Sequence, residues 1–72
     1  MVRTIDDYIR IAANGGGFSL DARQFMPHQL RTIAANCAGK GRIVLLNCQN
    51  LTTDDLSTIA SNGKGNVFFE DM

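Results

Sequence analysis

Apolar residues recur along this chain in three short helical stripes, and each stripe is followed by glycines and then by an apolar run. Ile5, Tyr8, Ile9 and Ala12 form the first stripe, Met26, Leu30, Ile33, Ala34 and Cys37 the second, and Leu56, Ile59 and Ala60 the third. Their three- and four-residue spacing puts each set on one face of a helix. The starts carry caps: Thr4 and Asp7 stand at capping-box spacing, Pro27 suits a first turn, and Thr53 precedes Asp54 and Asp55 at the positive end of a helix dipole. Asn14-Gly15, Gly39 and Asn62-Gly63 are the expected stops. The apolar runs predict strands from Phe18 to Asp21, from Arg42 to Asn47 and from Asn66 to Glu70.

The stripes are copies of one another. Tyr8-Ile9-Arg10-Ile11-Ala12-Ala13-Asn14 matches Leu30-Arg31-Thr32-Ile33-Ala34-Ala35-Asn36 and Leu56-Ser57-Thr58-Ile59-Ala60-Ser61-Asn62, 22 residues apart from Tyr8 to Leu30 and 26 from Leu30 to Leu56. Three helix–strand units, about 3–21, 25–47 and 52–71, therefore fill a single domain spanning 1–72. Strict alternation of helix and strand predicts an α/β protein with right-handed crossovers, a three-stranded parallel sheet in order 1-2-3, and all helices on one side.

The stretch Val44-Leu45-Leu46-Asn47-Cys48-Gln49-Asn50-Leu51-Thr52-Thr53-Asp54-Asp55-Leu56-Ser57-Thr58-Ile59-Ala60 resembles one leucine-rich repeat of the type whose strand is followed by Cys or Asn, then Leu-Thr, then a helix. Phe18-Ser19-Leu20-Asp21-Ala22, on through Phe25 and Leu30, is similar to a weaker copy, with Ala22 where Cys48 stands. Val67-Phe68-Phe69-Glu70-Asp71 would begin another. The resemblance implies a small solenoid, shorter than a horseshoe and without an evident capping module, acting as a non-catalytic protein–protein interaction module.

Either Val44 and Leu46 or Ile43 and Leu45 point inward, and Phe18 and Leu20 favour the first choice. On that choice the open sheet face carries Ser19, Asp21, Leu45, Asn47, Phe68 and Glu70, apolar side chains framed by polar ones, as on a partner-binding surface. The apolar segment Val67-Phe68-Phe69 forms an edge strand that needs a cover, so the chain is expected to form a homo-oligomer or to dock on another protein through that strand or the open face.

Composition narrows the alternatives. The chain has 72 residues, 44% apolar and 19% charged, which is enough for one modest core, and its seven basic residues balance seven acidic ones. No global field draws it to nucleic acid or to an anionic membrane. A local cluster of Lys40, Arg42 and Lys64 leaves a small nucleic-acid-binding regulator as the alternative. The loops Gly39-Lys40-Gly41-Arg42 and Gly63-Lys64-Gly65-Asn66 leave helix C-termini, where the dipole is negative, so they read as helix stops and not as phosphate loops.

Met1 is read as a native start, Met1-Val2-Arg3-Thr4-Ile5-Asp6-Asp7 lacks the basic stretch and long apolar run expected of a secretory signal, and no run of the sequence is long enough to span a bilayer. Cys37 and Cys48 are read as reduced in the cytoplasm, and with His28 as the lone histidine they are too few for a zinc site. Cys48 and His28 are also the only nucleophile and base available, and without an orienting partner or a pocket they do not make an enzyme. No catalytic residue, metal, cofactor or small-molecule ligand is expected.

Overall fold

Thr4 starts the first helix by reciprocal bonding: its hydroxyl oxygen accepts from the Asp7 N–H at 3.3 Å, and Asp7 Oδ2 accepts from the Thr4 N–H at 3.0 Å. The helix that follows, α1, spans Ile5–Ala13. In the second helix, α2 (Pro27–Cys37), Gln29 Oε1 accepts from the Met26 N–H at 2.8 Å and Pro27 takes the first helical position. The third, α3 (Thr53–Gly63), is capped by Thr52 and not by Thr53, because the Thr52 hydroxyl is the one that reaches the Asp55 N–H, at 3.1 Å. Met26 does not join the buried stripe. It is 60% exposed, since it stands before the helix and its side chain leaves the helical face.

The computed structural model describes residues 3–72, so Met1, and with it the reading of a native start, lies outside them. Strands β1 (Phe18–Asp21), β2 (Ile43–Leu46) and β3 (Val67–Phe69) form one parallel sheet in the order β1-β2-β3. Each of β2 and β3 is one residue shorter at either end than the apolar runs suggest, although Asn66 and Glu70 still bond to β2. Two 3-10 turns, Ala22–Gln24 and Cys48–Asn50, link β1 to α2 and β2 to α3. Helix α2 lies between α1 and α3. The helices share one apolar core with the inward residues of the sheet, in which Leu30, Ile33, Cys37, Ile43, Leu45 and Ile59 are at most 2% exposed.

The strand register is the reverse of the favoured expectation. Phe18 pairs with Ile43 and Leu20 with Leu45, so Ile43 and Leu45 face the core while Val44 and Leu46 face outward and are half-buried. The cause is one inserted residue. Phe18 to Ile43 is 25 residues, whereas Ala22 to Cys48 and Pro27 to Thr53 are each 26. The extra residue is Asn47, which turns the chain in the left-handed region at φ 59°, ψ 52°, a conformation that asparagine tolerates better than most residues. Counting back from the buried turn residue therefore lands one position off and exchanges the two faces of the strand.

The helix–strand loops lie side by side at one end of the sheet. Asn66 joins two of them: its Oδ1 accepts from the Gly39 N–H at 3.1 Å and its Nδ2 donates to the Gly41 carbonyl at 2.7 Å. Gly41 passes so close to the first loop that a Cβ there would overlap the Gly16 carbonyl, which is why this position needs glycine.

Candidate interaction face

Period-two alternation sends Ser19, Val44 and Phe68 to the outward face as one row across the three strands. Asp21 and Leu46 follow as a second row, and Glu70 comes directly after β3. Ser19, Phe68 and Glu70 are exposed, with Phe68 at 47%, while Asp21, Val44 and Leu46 are half-buried. The apolar centre of this face is thus Val44, Leu46 and Phe68. Charge frames it at both ends. At the N-terminal end of the strands the Arg42 guanidinium lies over the Phe68 ring, 5.2 Å from its centroid. At the C-terminal end stand Asp21 and Glu70.

Asp21 is held by Arg23. Its Oδ1 accepts from the Arg23 backbone N–H at 2.9 Å and from Nε at 3.1 Å, and its Oδ2 accepts from Nη2 at 2.8 Å. This forked hydrogen bonding from the Arg23 side chain, together with the backbone bond, holds the Asp21 carboxyl down at about 2.

Of the six residues expected to form the partner surface, Ser19, Asp21, Phe68 and Glu70 come together on this face. Leu45 does not belong to it: at 2% exposed it is a core residue, displaced from the expected face by the Asn47 insertion. Asn47 is half-buried at the turn, where its N–H donates to Asp71 Oδ2 at 3.4 Å, so it borders the face without lying in a strand row. Val44 and Leu46 take the places expected for Leu45 and Asn47. Since Ile43, Val44, Leu45 and Leu46 are all apolar, alternation alone cannot separate the two sets, and the signal lies in the unequal repeat lengths.

Lys40, Arg42 and Lys64 lie on the two loops that Asn66 joins, but two of the three have work within the chain. Lys40 Nζ donates to the Ala13 carbonyl at 3.0 Å, satisfying the C-terminus of α1, and Arg42 covers Phe68. Lys64 is exposed and ends α3 in the left-handed region at φ 50°.

Both cysteines are free and buried. Cys37 packs in the core beneath Asn66, whose carbonyl is 3.6 Å from its sulfur, and Cys48 Sγ donates to the Leu45 carbonyl at 3.3 Å. Burial pushes both thiols up, away from the reactive thiolate. His28 is exposed at the start of α2, while Cys48 is 1% exposed. Among the described residues no three His, Cys, Asp or Glu side chains converge as a metal site requires, and no helix is long and apolar enough to cross a membrane. Compared with models of protein families, with curated proteins and with solved structures, the chain matches none.

Proposed function

We propose that this protein is a non-catalytic protein–protein interaction module, a short stack of leucine-rich-repeat-like units that docks a partner on the outward face of its sheet. The observation that carries this reading is the exposed Phe68 ring standing beside Val44 and Leu46 on a three-strand platform, bounded by Arg42 at one end and by Asp21 and Glu70 at the other. An aromatic anchor on a rigid element, ringed by charge, is the pattern of an interface centre with a polar rim. On this reading the partner is a protein segment that places an apolar side chain against Phe68 and a basic group against Glu70. The inert, sealed thiol of Cys48 fits a packing role better than nucleophilic chemistry, and two free buried thiols fit a reducing, cytoplasmic setting.

A photoreactive side chain at Ser19, with one at exposed Ala35 on α2 as control, identifies what touches the face. Binding is then measured with purified components. Phe68→Glu is expected to weaken it by about tenfold or more, and charge reversal at Glu70 to weaken it further. Full binding by the folded Phe68→Glu protein overturns the proposal.

The runner-up is contact with a nucleic-acid backbone through Lys40, Arg42 and Lys64, which rests on the joining of their loops by Asn66. It requires affinity that falls steeply with salt and disappears in the triple alanine variant. The internal partners of Lys40 and Arg42 make it the weaker reading.

A further inference from the structure

Matched positions in the three helices differ in exposure, and the differences follow one direction. Ile11, Ile33 and Ile59 are equivalent, each followed by Ala12, Ala34 or Ala60. Ile33 and Ile59 are 1% and 0% exposed, but Ile11 is 37% exposed. The alanines behave in the opposite sense: Ala12 and Ala34 are 0% and 1% exposed, and Ala60 is half-buried. Each isoleucine side of a helix is therefore covered by the preceding helix, and each alanine side by the following one. Packing at the second joint agrees, since a Cβ built on Gly63 of α3 would lie 3.6 Å from the Ala34 Cβ of α2. Among the described residues no helix precedes α1 and none follows α3, so an exposed isoleucine remains at one end and a partly uncovered alanine at the other.

The sheet edges carry the same polarity. Phe18 donates its N–H to the Arg42 carbonyl, Ile43 donates to the Asn66 carbonyl, and Glu70 donates to the Leu45 carbonyl. In both ladders, inward-facing residues of the earlier strand bond outward-facing residues of the later one. Alternation then leaves the backbone N–H and C=O groups of Val67 and Phe69 of β3 directed at one open edge and those of Ser19 and Asp21 of β1 at the other. These are the two halves of a third ladder with the register of the first two. An open cleft of about 450 Å³ lies beside Ile11, lined also by Arg3, Asp7, Arg10, Asn14 and Gly16.

We propose that copies of this chain associate head to tail, with α3 and β3 of one copy seated on α1 and β1 of the next, Ile11 packing over Ala60 as Ile33 and Ile59 are covered within each copy. The occupant is a second copy because the two ends are the separated halves of the joint already made twice inside the chain. Such an interface is heterologous, so it does not stop at two copies unless the stack closes into a ring. It uses the helix ends and the backbone edges of β1 and β3, leaves the outward side chains of the sheet uncovered, and stands independently of the function proposed above.

Sedimentation velocity over a range of concentrations tests it, with reducing agent present. The unaltered protein should give a mass that rises through dimer to larger species. Ile11→Lys blocks one end and Ala60→Lys the other, with Ser57→Arg, at an exposed position on the same helix, as the second choice for the α3 end if Ala60→Lys does not fold. Each blocked variant alone is expected to be a monomer, and an equimolar mixture of the two should form a dimer and nothing larger. A wild-type protein that stays monomeric at all concentrations, or a blocked variant that still dimerises by itself, overturns the proposal. Ile11→Lys should keep full binding of the sheet-face partner, so failure here and failure of the interaction-face reading are separate results.

Discussion

Asp21 combines three tasks in one side chain: it ends β1, accepts the Arg23 N–H that opens the first 3-10 turn, and supplies negative charge to the rim of the outward face. Its carboxyl titrates at about 2 against an ordinary value of 3.8, chiefly through the hydrogen bonds from Arg23. The folded-state value is the lower one, so the contribution to stability is present above the unfolded value and is lost as pH falls through about 2. Arg23→Ala is expected to return Asp21 part of the way to the ordinary carboxylate range, because the backbone bond survives. Following the Asp21 side-chain carboxyl by NMR during an acid titration checks this, and an unmoved midpoint would contradict it. The Asp21 pair was not legible beforehand, since Arg23 could have pointed anywhere from a turn. Asn47 was equally silent: its left-handed backbone appears only when the ladder and the turn must both be satisfied.

At the scale of elements, the three helices are the same sequence motif carrying unequal loads. Truncating Ile33 or Ile59 to alanine opens a cavity in a close-packed core and should cost about 2–5 kcal/mol, a large part of the total stability of a domain this small. The same change at Ile11 should cost less, about 1–1.5 kcal/mol, because the residue keeps more than a third of its surface in water. Urea denaturation of the three variants, at concentrations too low for association, measures the contrast. Equal losses at all three positions would mean that Ile11 is covered in solution. The helices themselves were readable from stripe and cap, since Thr4 with Asp7 and Pro27 act over a single turn. The shift of the third cap to Thr52 was not, because two adjacent threonines offer the same chemistry and only the path of the preceding turn chooses between them.

Over the whole molecule, burial is greatest in the middle and falls toward both ends. Leu30, Ile33, Cys37, Ile43, Leu45 and Cys48 are at most 2% exposed, while Tyr8 and Phe18 on one side and Leu56 and Phe69 on the other are only partly covered. Strand β2 is bonded on both edges and β1 and β3 on one each. Amide hydrogen exchange in dilute solution should therefore be slowest in β2 and α2 and faster in the outer strands. Uniform protection across the sheet in dilute solution would contradict this gradient. A rise in protection of Val67 and Phe69 amides with protein concentration is the expected signature of end-to-end association.

Sequence alone determined what is local or repeated: three amphipathic helices, the first two with their starting signals, three apolar strands between them, and the alternation that makes the sheet parallel with β2 in the centre. Those features follow from hydrogen bonding within a turn and from the spacing of apolar residues, both of which are written linearly. Tertiary structure decided which face of β2 is buried, that Leu45 belongs to the core while Val44 and Leu46 join Phe68 outside, and that Lys40 and Arg42 have partners within the chain. The physical reason is that all four residues of β2 are apolar, so no side chain prefers its face until neighbouring strands and helices close around it. One asparagine in a left-handed turn then sets the register for the whole platform.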